Sequence, residues 1–484
     1  MAYLHGVYVN ENPTTLTSPV ESSAGVQVVI GTAPVNMLKD PEAAVNVPLL
    51  ANTYAEAVAA VGYSDDFANF TICDAIASSF QLIGAGPLVM INVLDPAKHS
   101  KAFEEETVQV NNKIATLEKT GVLLNQITVK KDSTDTTLNA DTDYTATFDS
   151  NGYVVIALLD DGAGEDATSL KISGKQLDPS MVTAADIVGG VDPESGAETG
   201  MEVIRQVYPK LGIIPGILIA PKWSKDPTVA AGLQAKCSGI NGNFKAFCLM
   251  EVDSSSTGAK KYTDVKAKKE SSAMSSELGA AVWLHCKVGE VVHYGSAVLA
   301  ALMAYTDAQN SDTPNVSPSN QSVPISAACL EDGTEVYLDQ EQANEVNGAG
   351  VVTWLNMNGW RAWGNNTAAY PGNTDPKDRW IGVRRFMSWA ANSFITSYFP
   401  SVDGILNNRL IESIVDSENM RGNSFVSRGV CARYEIQYNE ADNPATELMN
   451  GHVVFRQYIT PFTPAEVIED LIEFDPNALA TALA

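Results

Sequence analysis

Positive charge is scarce in this chain: 31 Lys and Arg stand against 58 Asp and Glu, a formal net charge of −27 over 484 residues. That balance disfavours nonspecific binding to nucleic acid or to an anionic membrane surface. Histidine is rarer, with five, at positions 5, 99, 285, 293 and 452. Even the nearest pair, His285 and His293, lacks the spacing of metal ligands. The six cysteines (Cys73, Cys237, Cys248, Cys286, Cys329, Cys431) are scattered, with no CxxC pair. In a chain this long they are expected as small buried residues and not as a disulfide framework. Also missing are a GxxxxGK[ST] phosphate loop, a GxSxG nucleophile elbow and an HExxH zinc site. No enzyme activity, cofactor or metal is therefore expected. Apolar runs such as residues 297–304 are too short to span a bilayer, so no membrane insertion is expected. No charged-then-apolar leader follows Met1, and synthesis in the cytoplasm is the expectation.

What is present is ordinary globular composition, 45% hydrophobic and 18% charged, and enough length for two to four domains. Near the start, Val7, Tyr8 and Val9 form a short strand-like segment, separated from the next apolar strand by a polar stretch. An isolated strand leaves its backbone donors and acceptors unpaired, so it must find a ladder elsewhere, on its own subunit or on a neighbour.

Residues 26–100 alternate strand and helix signals: strands at 26–31 and 87–94, helices at 53–61 and 74–83. Between about 105 and 180 the pattern becomes short strands (127–130, 144–148, 153–157, 170–172) separated by Asp, Gly, Asn and Ser. Asn151-Gly152 lies between two of them, and that pair favours a tight hairpin turn. The α/β pattern resumes near Asp186, with helices at 200–208, 228–239, 270–285 and 296–308 and strands at 212–220 and 246–252. A third unit begins near 345. It holds a strand at 350–355, helices at 378–399 and 405–420, and strands at 430–438 and 453–459. The helix at 378–399 carries Trp380, Val383, Met387, Ala390, Phe394 and Tyr398 at three- and four-residue spacing, a core-facing stripe. Beyond Pro464, Val467, Ile468, Leu471, Ile472 and Phe474 alternate with acids, compatible with a strand or an amphipathic turn of helix.

The Asp-rich runs (Asp132, Asp135, Asp141, Asp143; Asp160, Asp161, Glu165, Asp166) lack the order of a calcium loop and read as solvated turns. One charge feature stands out. From Arg361 to Arg433 nine basic residues face six acids, a local excess of +3 in an acidic chain.

Several segments, in order, resemble the contractile tail sheath family of phages, R-type bacteriocins and related injection systems. The N-terminal Val7-Tyr8-Val9 segment and the strand leading to Gly31-Thr32-Ala33-Pro34 are similar to the family's opening. Asn139-Ala140-Asp141-Thr142-Asp143-Tyr144-Thr145 resembles a strand of its inserted β domain. Ile187-Val188-Gly189-Gly190, with Glu198-Thr199-Gly200-Met201, resembles the re-entry into its core. Ile214-Pro215-Gly216-Ile217-Leu218-Ile219-Ala220-Pro221 resembles a core strand, with Lys222 replacing a final glycine. Ser296-Ala297 through Asp307, then Ser317-Pro318-Ser319-Asn320, resembles the next block. Asn358-Gly359-Trp360 through Asn366-Thr367, with Trp380-Ile381-Gly382-Val383-Arg384-Arg385, resembles the C-terminal signature, although Asn366 stands where the family has Arg. Ile459-Thr460-Pro461-Phe462-Thr463-Pro464-Ala465-Glu466 resembles the entry to the C-terminal arm.

The resemblance implies a multidomain α/β chain: an arm at 1–25, a core in two parts at 26–104 and 186–344, an inserted all-β domain at 105–185, an α+β tube-facing domain at 345–463, and a second arm at 464–484. It implies stacked hexameric rings around an inner tube, and contraction that drives the tube through a target cell envelope. Val7, Tyr8, Val9, Val467, Ile468, Leu471 and Ile472 would donate strands to neighbours. Arg379, Arg384, Arg409 and Arg421 would face the tube. Implied partners are further copies of the chain, the tube protein, and baseplate and terminator or collar proteins. Assembly would occur in the host bacterial cytoplasm, and the product would be part of a virion tail or released particle. The alternative is a non-enzymatic surface or carbohydrate-binding multidomain protein. An α/β hydrolase is the enzyme rival, and its nucleophile–base–acid set is not visible in the sequence.

Overall fold

A computed structural model describes residues 20, 21 and 23–483; the expected strand at Val7, Tyr8 and Val9 lies outside the described residues. An eight-stranded sheet organises the centre. Its order is Trp360–Trp363, Val351–Asn356, Gly279–Val282, Phe247–Glu251, Ile217–Ile219, Gln27–Gly31, Leu88–Asn92 and Pro48–Ala51. The six inner strands run parallel, and an antiparallel strand closes each edge. Gln27–Gly31, Leu88–Asn92 and Phe247–Glu251 are buried at every position. Continuous burial means both faces are covered, as parallel sheets require. Thr71–Ile76, a π-helical turn at Ala77–Ile83 and Gly295–Gln309 pack together, as do Ala184–Val188, Gly200–Gln206 and Pro227–Cys237. Helix Gly295–Gln309 is apolar almost all round, with every residue from Ala297 to Ala304 buried, which is what a helix inside a large core needs.

The central sheet revises three expectations. Residues 270–285 were expected as a helix because the stretch is rich in small helix-forming residues. Instead the helix is Val265–Ser271, and Gly279–Val282 is an inner strand. A Cβ at Gly279 would sit 2.6 Å from the Cys248 sulfur, so the close strand spacing selects glycine there. The strand at 350–355, expected to open the C-terminal unit, is Val351–Asn356 and pairs in parallel with Gly279–Val282 in the central sheet. The apolar stretch 212–220 contributes only Ile217–Ile219, because Pro215 precedes it and Gly216 passes against the Ala24 carbonyl.

Two antiparallel sheets leave the core after Leu94. One pairs Tyr144–Phe148, Val154–Leu158 and Ile114–Leu117. The other pairs Ser100–Gln109, Ser169–Leu177, Thr128–Lys131 and Thr136–Leu138. They enclose an apolar cluster of their own, including Leu117, Val129, Val154, Ile156 and Leu170. Asn151-Gly152 does sit in a hairpin, but the loop spans Asp149 to Tyr153 and only Gly152 has positive φ, +75°. The Asp149 carboxylate accepts the Asn151 and Tyr153 N–H groups, so the turn is built on Asp149. Acids of the neighbouring loops pair locally, Lys131 with Asp166 and Lys171 with Asp132.

The C-terminal part has a third apolar cluster. Helices Ile381–Tyr398 and Asn408–Ser427 enclose it with a two-stranded antiparallel ladder, Cys431–Tyr438 against Phe455–Pro461. Phe386, Phe425 and Tyr434 meet there edge to face or tilted, at 5.3–6.4 Å between ring centres.

Candidate assembly surface

The ladder begins where the chain turns back from Asn408–Ser427. Its inward side chains, Cys431, Tyr434 and Ile436, are buried against the helices. At Gly422 the helix passes so close that a Cβ would meet the Tyr434 carbonyl at 2.3 Å. Among the described residues this sheet has two strands only. Helix Asn408–Ser427 covers the outer edge of Cys431–Tyr438, where Asn419 bonds both the N–H and the carbonyl of Ile436 at 2.9 and 3.1 Å. Among the described residues no further strand pairs with the outer edge of Phe455–Pro461. Such edges are templates for a further strand.

Beneath the ladder lies a buried carboxylate. Glu418 is 1% exposed and pairs with Arg421, and it accepts from the Tyr434 hydroxyl at 3.2 Å and Gln457 Nε2 at 3.3 Å. Burial, with Arg421 opposing and Glu418 adding, pushes the Tyr434 phenol up to about 12. Arg421 is thus held inside the subunit by Glu418 and Tyr434. Arg384 is buried and its guanidinium donates to Asp378 at 3.2 Å. Arg379 is partly covered and paired with Glu466 at 2.8 Å. Arg409, in the first turn of Asn408–Ser427, is exposed. The four arginines therefore do not form one patch of free charge. The sequence counted their charges without showing the acids that already hold three of them.

The C-terminal segment has no regular structure from Phe462 to Asp475, before a short helix at Pro476–Ala482. Val467, Ile468, Leu471 and Ile472 are 82%, 90%, 80% and 88% exposed. Four large apolar side chains left in water cost several kcal/mol relative to burial, at roughly 1.5–3 kcal/mol each.

A polar network sits at the carboxyl ends of the central strands, where open α/β sheets place ligands. Glu251 accepts from the Ser296 hydroxyl at 2.6 Å and the Lys222 N–H at 2.9 Å. Asp74 pairs with His293 Nδ1 at 2.7 Å and accepts the Tyr294 N–H at 2.9 Å. Burial raises the pKa of both carboxylates. These groups satisfy one another and fasten the start of Gly295–Gln309, whose N-terminal dipole favours acids. Among the described residues no group of three or more His, Cys, Asp or Glu could hold a metal ion, and all six cysteines are buried and free.

No family model matches the chain. The tail sheath protein of Burkholderia phage BcepMu is 28% identical over 492 residues, covering 99% of this chain and 98% of that one. The tail sheath protein of Escherichia phage P2 is 25% identical over 326 residues, covering 66% and 75%. Among solved structures, a chain of the anti-feeding prophage baseplate superposes with a TM-score of 0.59 at 16% identity, covering 98% of this chain and all of that one. The sheath complex of the PVC extracellular contractile injection system, in its contracted state, gives 0.58 at 12% identity and 99% coverage of both chains. The mixed α/β fold is shared with these solved chains. The likeness to the BcepMu tail sheath protein runs the full length of the chain, and the fold is shared with both solved structures.

Proposed function

We propose that this chain polymerises as stacked hexameric rings around an inner tube and shortens to drive that tube through a target cell envelope. The observation that carries the reading is the open ladder Cys431–Tyr438/Phe455–Pro461 beside an extended, exposed apolar C-terminal segment. The strand edge of Phe455–Pro461 that lacks a partner and a segment that lacks a ladder are complementary between copies. Val7, Tyr8 and Val9 at one end of a neighbouring copy, and Val467, Ile468, Leu471 and Ile472 at the other, would be the donated strands that extend the sheet. Main-chain pairing fixes register while the linkers hinge, so subunits stay connected as they rotate. The work of contraction comes from unequal interface energies in two states.

Core, β insert and C-terminal part would take the division 26–104 with 186–344, 105–185 and 345–463, with arms at 1–25 and 464–484, and the strands Val351–Asn356 and Trp360–Trp363 at the start of the last part would complete the central sheet of the core. The C-terminal part would face the tube. Arg409 is the exposed cation best placed for it, with Arg379, Arg384 and Arg421 supporting that surface. Tube, baseplate and terminator or collar proteins would be the other partners. Assembly in the host cytoplasm would precede release in a tail or free particle.

The test is truncation. Removing residues 1–20, or everything after Pro464, leaves a folded, soluble subunit that forms no cylinders in negative-stain images. Cylinders of ordinary length from either truncated chain would defeat strand donation.

A further inference from the structure

The C-terminal segment does not leave the subunit freely. Residues 462–468 form one wall of a groove of about 830 Å³ whose other walls include Asn344, Asn347, Tyr370 and Arg379. Across this groove Arg379 Nη2 donates to Glu466 Oε2 at 2.8 Å. Immediately beyond Glu466 the side chains turn to solvent, with Val467 and Ile468 among the most exposed apolar residues of the chain.

The arginine is held independently of its acidic partner. Its guanidinium carbon lies 4.0 Å from the Trp380 ring centre and 4.5 Å from that of Tyr370. Its Nε donates to Asn366 Oδ1 at 2.8 Å. Asn366 is itself fixed, donating to the Asn347 carbonyl at 3.3 Å. The short helix ending at Arg379 is capped by Asp375, and its last carbonyl accepts the Thr367 N–H at 2.7 Å. Two aromatic faces and one amide therefore set the plane of the guanidinium, leaving an Nη edge for a carboxylate. Lysine could not reproduce this, because stacking and a planar fork are properties of arginine.

We propose that Arg379 is the positioning residue of the C-terminal arm: it grips Glu466 and fixes the point and direction at which the chain leaves the subunit. The pair is part-exposed, 24% and 36%, so its strength falls as salt rises. It is a latch that holds the arm's base while permitting rotation beyond it. The consequence for assembly rests on the proposed strand donation; the latch does not.

The test uses the full-length, unassembled chain carrying Ala465→Cys with a nitroxide label, which reports this site alone because the native cysteines are buried. Spectra are compared for the parent, Glu466→Gln, Arg379→Gln and Arg379→Lys, with the thermal midpoint of each. The expected result is a mobile fraction roughly two- to fivefold larger in Glu466→Gln, with an unchanged midpoint. Arg379→Lys should recover only part of the immobile signal, and added salt should mobilise the parent but not Glu466→Gln. A Glu466→Gln spectrum identical to the parent overturns the latch. Cylinders from the chain truncated after Pro464 would instead defeat strand donation, so the two failures are distinct.

Discussion

Arg385 and Asp307 form a buried, two-pronged ion pair, with guanidinium nitrogens 2.9 and 2.5 Å from the two carboxylate oxygens. Arg385 lies on Ile381–Tyr398, the first long helix of the C-terminal part, and Asp307 near the end of Gly295–Gln309 in the core. Both are almost completely buried. One pair thus ties the unit bearing the open ladder to the central sheet. In the proposed contracting assembly that tie would carry load between the two.

Removing one partner leaves the other charged and dry. Arg385→Met is expected to destabilise the chain by about 3–5 kcal/mol, measured as a lowered denaturant midpoint. The double variant Arg385→Met, Asp307→Leu should recover most of that loss, since no orphan charge remains. Equal loss in single and double variants would show that the pair is not the tie.

Gly422 tests the seat of the ladder. Gly422→Ala places a methyl against the Tyr434 carbonyl, which backbone cannot yield without shifting. A cost of about 1–3 kcal/mol is expected from overpacking, together with fewer or shorter cylinders. An unchanged midpoint would mean that the helix and ladder part easily.

Acid sensitivity should trace to His285. Burial lowers its pKa from the ordinary 6.5, more than Glu251, Glu331 and Asp253 raise it, with Lys225 also lowering it. Geometry agrees, because Nδ1 accepts the Gly295 N–H at 3.2 Å and must be unprotonated. The unfolded chain therefore binds a proton that the folded chain refuses, so stability falls as pH drops below about 6.5. Thermal midpoints between pH 7.5 and 5 should fall more steeply for the parent than for His285→Asn. Parallel profiles would remove His285 from the account.

Local pattern made much of the fold legible. Strand Leu88–Asn92 and helix Gly295–Gln309 are long enough, and apolar enough, to declare themselves. The failure at 279–282 has a physical origin: Gly-Ala-Ala-Val carries little period, and only the closeness of Cys248 decides for strand. Val351–Asn356 is legible as a strand, but its partner, Gly279–Val282, has a helix-like composition, so the place of the pair in the central sheet is not. The arginines show the deeper limit. Arg379 meets Glu466 from 87 positions away and Arg385 meets Asp307 from 78. No periodicity joins such residues, so counting charge found a basic excess without its partners. The aromatic pair Tyr370 and Trp380 around Arg379 was equally invisible.

A reconstruction by electron cryomicroscopy of cylinders assembled from the full-length chain tests the central claim most directly. The account predicts that the ladder Cys431–Tyr438/Phe455–Pro461 is extended beyond Phe455–Pro461 by strands from other copies, drawn from around Val7-Tyr8-Val9 and around Val467–Ile472. A ladder still two-stranded in the cylinder, or flanked only by its own chain, would contradict it.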